Sequence, residues 1–175
     1  MKPSTMCQEW LDSLPPTKGY LKNEQSIGRE FLLEQGLPSK KDEAWRLSNF
    51  KKLNSFLSLP TIIDRKDIKS KSIFPEKDKN RERIIIIPHE NPIFNFKLPN
   101  GIEKLNNREI EENLGKIIKS TNIKNDISVC LNQASSLELL ALKVKRNFNQ
   151  SLEIVIPSIE NSSISTRIFL LIEEG

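Results

Sequence analysis

The side chains able to do chemistry in this chain are few. His89 is the single histidine, and Glu90 follows it directly. A carboxylate can tune an imidazole base or join it on a metal, but adjacent side chains are not aimed at one atom. No second histidine exists, so a surface turn is the plainer role. Cys7 and Cys130 are the only thiols, too far apart in sequence for a CxxC metal site and too few for a disulfide framework. Cys7 has no apparent partner, and Cys130 sits at a core-like helical position. Asn132 and Gln133 suit an architectural role, fastening a loop by hydrogen bonds. Asn100-Gly101 reads as a turn, and neither Gly28 nor Gly36 belongs to a phosphate-binding fingerprint. No Ser/His/Asp arrangement has directional support, and the many carboxylates cannot be paired by sequence. No catalytic, cofactor-binding or metal-ligating residue is therefore assigned.

One surface-active constellation remains. Glu43 and Arg46 lie three apart on an expected helix and can pair around the apolar body of Trp45. Either this patch meets a partner subunit or Trp45 packs into its own helical module, and packing is the preferred role. The two Trp and single Tyr leave few aromatic platforms for nucleic-acid bases.

Twenty-seven basic and 23 acidic residues give a net charge of +4. The excess concentrates in residues 61–83, with eight basic and five acidic side chains. Signs are interleaved there, as in Asp64-Arg65-Lys66-Asp67, which fits a solvated connector better than a phosphate-binding face. A small basic nucleic-acid-binding adaptor centred on this stretch is the alternative, and it requires steeply salt-dependent affinity. An autonomous enzyme would need a polar pocket that the sequence does not reveal. The longest apolar run, Ile84 to Ile87, is far too short to span a bilayer, and Glu9 and Asp12 interrupt any leader-like start. A reducing interior compartment is expected.

The elements fall into four stretches. Residues 1–60 read as a helical module: a helix with Trp10 and Leu14 on one face, broken by Pro15-Pro16; a second from Gly19 to Gln35, with an apolar stripe of Ile27, Phe31 and Leu32; and a third capped by Ser39 and Asp42. Gly36 is placed to end the second helix with positive φ. Residues 61–83 form the charged connector, with a short helix near 64–70. Residues 84–126 read as a small mixed α/β segment: a buried strand at Ile84–Ile87, a half-buried strand over 93–98, a turn at Pro99-Asn100-Gly101, and a brief strand at 102–105. A helix capped by Asn106 or Asn107 then places Ile110, Leu114, Ile117 and Ile118 in one stripe, with Gly115 a weak point in its middle. Residues 127–175 begin with a stretch compatible with helix or strand, capped by Asp126. Three strand-length runs follow, at 139–144, 152–156 and 167–172, with Ile154, Ile156, Ile168, Leu170 and Ile172 as inward-facing candidates. An apolar strand next to the final residues suggests a longer protein and an edge able to pair with a second copy as a homodimer.

The run Phe31-Leu32-Leu33-Glu34-Gln35-Gly36-Leu37-Pro38-Ser39-Lys40-Lys41-Asp42-Glu43-Ala44-Trp45-Arg46, preceded by Gly28-Arg29-Glu30, resembles a helix, Gly-Leu-Pro turn and Glu-x-Trp-Arg motif of the SufB/SufD family. Leu131-Asn132-Gln133-Ala134 looks like the family's Leu-Asn-x-Ala element. Ile154-Val155-Ile156-Pro157 followed by Arg167 to Gly175 is similar to its strand pair with an Arg-led apolar run. The order and spacing of these blocks carry the likeness from about residue 25 onward. The chain departs from the family at Cys130, at Ser135-Ser136-Leu137 and at Lys145-Arg146-Asn147, which leaves the strand register open. The compact segment from Gly36 to Trp45 favours the SufD branch over SufB. The resemblance implies an α+β chain in which a helical module and mixed strands lead into a right-handed parallel β-helix, truncated here. It also implies a non-catalytic scaffold subunit in the cytoplasm, or in the plastid stroma of a photosynthetic eukaryote. The partners implied are a SufB-like subunit and a SufC-like ATPase, with the iron–sulfur cluster and ATP handled by the whole complex and no cofactor held by this chain. Neither a membrane nor nucleic acid is an expected partner. The residues of cluster assembly fall outside the stretch that the resemblance covers.

Overall fold

The computed structural model describes residues 5–61, 76, 81–86, 98–157 and 160–174. The chain is mixed α and β, with helices and, among the described residues, two small open sheets. Two compact units interleave along the sequence: residues 1–62, 115–136 and 161–165 form the first, and residues 63–114, 137–160 and 166–175 the second.

The first unit is helical. Helix α1 (Thr5–Ser13) buries Cys7, Trp10 and Leu11, with Leu14 just past its end. That is the i, i+3, i+4, i+7 spacing of one helical face. Helix α2 (Lys22–Gln35) follows a single 3₁₀ turn at Gly19–Leu21. It ends at Gly36, whose φ of +76° suits glycine and whose N–H donates to the Leu32 carbonyl. Helix α3 (Phe50–Leu57) is capped by Asn49, whose side chain accepts from the Lys52 N–H at 3.1 Å. Leu53, Phe56 and Leu57 turn inward from it.

Helix α6 (Ile127–Ser135) completes this core with Cys130, Leu131 and Ala134. Its helical state settles a stretch whose spacing alone suited a strand equally. Asp126 decides the matter by accepting from the N–H groups of Ser128 at 2.8 Å and Val129 at 3.3 Å, and from the Ser128 hydroxyl. These bonds hold the Asp126 carboxyl below its usual pKa, the Ser128 hydroxyl contributing most. A depressed pKa in the folded state stabilises above the unfolded pKa of about 3.9 and loses that contribution as pH falls through the folded value. Asp126→Ala should therefore cost about 1 kcal/mol at neutral pH. Denaturant titrations of wild type and variant should draw together as pH falls through the lowered folded pKa of Asp126; a gap independent of pH would disprove the charged cap.

The second unit is built on strands. β1 (Arg81–Ile85) pairs in parallel with β4 (Ser151–Val155), Ile84 opposite Ile154. In the other sheet, β2 (Ile102–Lys104) runs antiparallel to β3 (Glu138–Val144). β3 in turn runs parallel to β5 (Thr166–Ile172), pairing Leu140, Leu142 and Val144 with Ile168, Leu170 and Ile172. The two sheets face each other across Ile84, Ile86, Ile102, Leu140 and Leu142, with Leu152 and Ile154 packed alongside. Helix α4 (Asn107–Asn113) covers the other face of the three-stranded sheet, where Ile110 meets Leu105, Ala141, Phe169 and Leu171. Asn106 and Glu109 form a reciprocal capping box, each side chain accepting from the other's N–H at 3.0 Å.

Three expectations need correction. The helix expected after Ser39 is one 3₁₀ turn, Glu43–Trp45. Ser39 and Asp42 spend their side chains on each other's neighbourhood, the Ser39 N–H donating to Asp42 and the Lys41 N–H to the Ser39 hydroxyl. The single helix expected from Asn107 to beyond Ile118 is two, α4 and α5 (Lys116–Ser120). Gly115 between them is left-handed at φ +78°, so Ile117 leaves the stripe and is 66% exposed. The stripe expected on α2 is also rotated: Leu32 is fully buried, but Ile27 is exposed and its place inside is taken by Glu24, Gln25 and Gly28. Of the strand expected over 93–98 only Leu98 is described, and it is not in a strand; the helix expected over 64–70 lies outside the described residues.

Candidate functional site

His89 and Glu90 also lie outside the described residues. Among those described, no group of three or more His, Cys, Asp or Glu is placed to hold a metal ion.

Both thiols sit in the helical core, Cys7 on α1 and Cys130 on α6. The Cys7 thiol donates to the Leu32 carbonyl at 3.5 Å. Burial raises the Cys7 pKa; burial and then the Asp126 charge push Cys130 up to about 11. Nucleophilic reactivity belongs to the thiolate, so these groups are structural. A thiol-reactive dye should label neither in native buffer and both in denaturant. Labelling of the folded protein within minutes would refute that assignment.

Glu43 and Trp45 lie on the 3₁₀ turn, and Arg46 caps its C-terminal end. Glu43 and Arg46 are exposed and joined by a backbone bond at 3.3 Å, with no ion pair between their side chains. Trp45 is half-buried and stands apart from the core cluster, where Trp10 is the packed indole. Leu47, next along, is 93% exposed.

The residues that most tightly organise the helical unit were not visible as a set in the sequence. Gly28 lets α2 approach α6 so closely that a Cβ there would lie 2.7 Å from the Ala134 nitrogen and 2.8 Å from the Cys130 carbonyl oxygen. Polar side chains flank this approach. Gln25 donates to the Ser136 carbonyl at 2.6 Å, and Gln133 donates to the buried Glu24 carboxylate at 2.8 Å. Arg29 bridges the carbonyls of Ala134 at 3.2 Å and Pro15 at 2.7 Å, and its burial lowers its pKa. Lys119 adds a weak ion pair to Glu24 at 3.9 Å. The Leu131-Asn132-Gln133-Ala134 block thus meets the Gly28-Arg29 block directly, and Gln133 fastens α6 to α2 rather than fastening a loop. A glycine with polar residues three and four positions before it, inside an otherwise good helix, was the available signal.

In the second unit the ion pairs are architectural. Arg83 and Glu153 are register partners across β1 and β4, with Nε and Oε2 2.7 Å apart. Lys143 on β3 holds Glu109 at 3.2 Å and Glu173 at 3.5 Å, and its pKa is raised chiefly by Glu109. Lys145 pairs with Glu103.

The surface feature of this unit is apolar. Of the inward-facing candidates, Ile154 packs between the sheets, while Ile156 lies just past β4 and is 45% exposed. Ile168, Leu170 and Ile172 stand on the same side of their sheet as the buried Leu140 and Leu142, yet they are 42%, 38% and 69% exposed. β5 is apolar on both faces, so alternation could not tell which one would be covered. The covered face is that of Phe169 and Leu171, beneath α4.

No helix among the described residues is long and apolar enough to cross a membrane. No protein-family model matches the chain, and no curated protein or solved structure matches it significantly.

Proposed function

We propose that the chain is a SufD-like scaffold subunit of an iron–sulfur cluster assembly complex, working beside a SufB-like subunit and a SufC-like ATPase. The observation that carries this reading is the path of β3, β4 and β5. The chain leaves one sheet, crosses to the facing sheet and returns to lie parallel to β3, in register, on its far side. Such a path suits one turn of a parallel β-solenoid, the architecture that the resemblance implies. Support also comes from the first unit, where the two blocks of family likeness pack against each other through Gly28 and Gln133. The strands and helices described serve as framework, with thiols buried and ion pairs that tie strands and helices together, which suits a scaffold better than a catalyst. Self-association through strand edges is a secondary expectation.

Co-expression with the SufB-like and SufC-like proteins of the same genome tests the reading. A complex that survives affinity capture and gel filtration is expected. A folded chain that elutes alone, while the other two subunits still assemble, would overturn it.

A further inference from the structure

Asn100-Gly101 forms the turn that leads into β2, and the chain contains no other Asn-Gly pair. The Ile102 N–H donates to the Pro99 carbonyl at 3.0 Å, and Gly101 has a φ of +88°. Among the described residues Asn161 is the one non-glycine with positive φ, so φ at Asn100 is negative. That combination is a type II turn, with asparagine at its second position and glycine at its third. It differs from the turn that Asn-Gly forms in two-residue hairpins, where φ is positive at both residues.

Glycine is required here twice over. Its φ strains any other residue, and a Cβ at Gly101 would lie 3.1 Å from the Phe148 Cβ and 3.3 Å from the Phe148 Cα. The Gly101 carbonyl also accepts from the Lys145 N–H at 2.8 Å, which ties the turn to the end of β3. Asn100 is exposed. The turn thus sets a solvated asparagine side chain beside a main-chain nitrogen whose residue has no side chain to shield it.

We propose that Asn100 is a site of spontaneous covalent modification, at which its amide is lost and the main chain is rerouted through its side chain. The Gly101 nitrogen gives its proton to water and attacks the Asn100 Cγ. The Cγ–Nδ2 bond breaks, and ammonia leaves. Water then opens the resulting succinimide ring. Opening at Cγ yields aspartate, and opening at the main-chain carbonyl yields isoaspartate, which carries an extra methylene in the backbone. Nothing is oxidised or reduced, and water is the only co-reactant. In the closed turn the backbone at Asn100 points the Gly101 nitrogen away from the side chain, so the ring forms when the turn opens. Opening at an exposed turn costs far less than unfolding the unit.

Aspartate fits the same turn. Isoaspartate lengthens it, so the Ile102–Pro99 and Lys145–Gly101 bonds cannot both be kept, and Phe148 blocks a bulge at Gly101. β2 has three residues, and its register, Ile102 opposite Val144, begins at this turn. The modification therefore loosens β2. The site rests on the turn alone and does not depend on a role in iron–sulfur assembly.

The test is to hold the full chain for weeks at mildly alkaline pH and body temperature, with peptide mapping by mass spectrometry. Conversion at Asn100 ahead of every other asparagine is expected, with isoaspartate the larger product. Asn100→Gln should resist conversion, because its longer side chain closes a less favourable ring. The isoaspartate form, separated by chromatography, should exchange amide hydrogens over residues 102–105 at least tenfold faster than fresh protein. Asn100→Asp adds the charge without the extra methylene and should stay within twofold. An unchanged Asn100 overturns the proposal, as does conversion that begins elsewhere, for example at Asn161, which is also exposed and precedes a serine. Isoaspartate with unaltered exchange, or equal acceleration in Asn100→Asp, overturns the loosening of β2.

Discussion

Gly28→Ala should destabilise the helical unit by about 3 kcal/mol or more, the reverse of what the same change does in an ordinary helix. In an isolated or exposed helix, alanine is favoured over glycine by about 1 kcal/mol because it restricts the unfolded chain. At Gly28 the new methyl would lie 2.7 Å from the Ala134 nitrogen and the Gln133 Cβ and 2.8 Å from the Cys130 carbonyl oxygen. Two of these three atoms are backbone of α6, which cannot rotate aside as a flexible side chain would. The helices must separate instead, and overpacking of this kind costs about 1–3 kcal/mol by itself. Separation also stretches the bonds from Gln25 to the Ser136 carbonyl, from Arg29 to the Ala134 carbonyl and from Gln133 to Glu24. Each such bond left unmade in a buried setting adds about 1–3 kcal/mol, although a small shift weakens them rather than breaking them all. Against a typical total of about 5–15 kcal/mol, the loss should be plain in urea denaturation. A variant as stable as wild type, or more so, would show that α2 and α6 do not approach at this point.

Much of the fold could be read from the sequence where one physical signal acted alone. The helix containing Trp10, the turn at Gly101, the cap at Asn106 and the three final strands follow from spacing and from turn and cap chemistry, and they lie close to where they were expected. Misreadings arose where two signals competed. On α2 the apolar residues are too few to define a face. The buried side is chosen by a close approach to α6, more than a hundred residues on in sequence, and it carries Glu24 and Gln25 inward with Gly28. At Leu114-Gly115 the apolar stripe runs on while the backbone turns left-handed, and the backbone prevails. Around Trp45 a plausible cap sits on a segment that forms only one 3₁₀ turn, so a sequence-local motif overstated the helix. The candidate surface was partly legible: the row on β5 was recognised, but which of its two apolar faces α4 would cover depends on tertiary packing.

The clearest test of that packing is to compare two leucines on the same side of the same sheet. Leu142→Ala should cost about 2–5 kcal/mol, and Leu170→Ala less than about 1 kcal/mol. The two residues are register partners on neighbouring parallel strands, so their strand environments and side-chain chemistry match closely. They differ in what lies above them. Leu142 is fully buried among Ile84, Ile86, Ile102 and Leu140, and truncating it removes about three buried carbons and leaves a cavity that two facing sheets can only partly close. Leu170, 38% exposed, already meets solvent on one side, so water can fill the space its truncation leaves. Had the whole row been sealed between sheets, as expected for the inward-facing candidates Ile168, Leu170 and Ile172, the two substitutions would cost similar amounts. Chemical denaturation of both variants, with matched m-values, separates the alternatives. Equal losses of 2 kcal/mol or more would mean that β5 is covered in solution and that its apolar row is core. A large loss at Leu142 beside a small one at Leu170 places the boundary of the core between β3 and β5, with an apolar surface left beyond it.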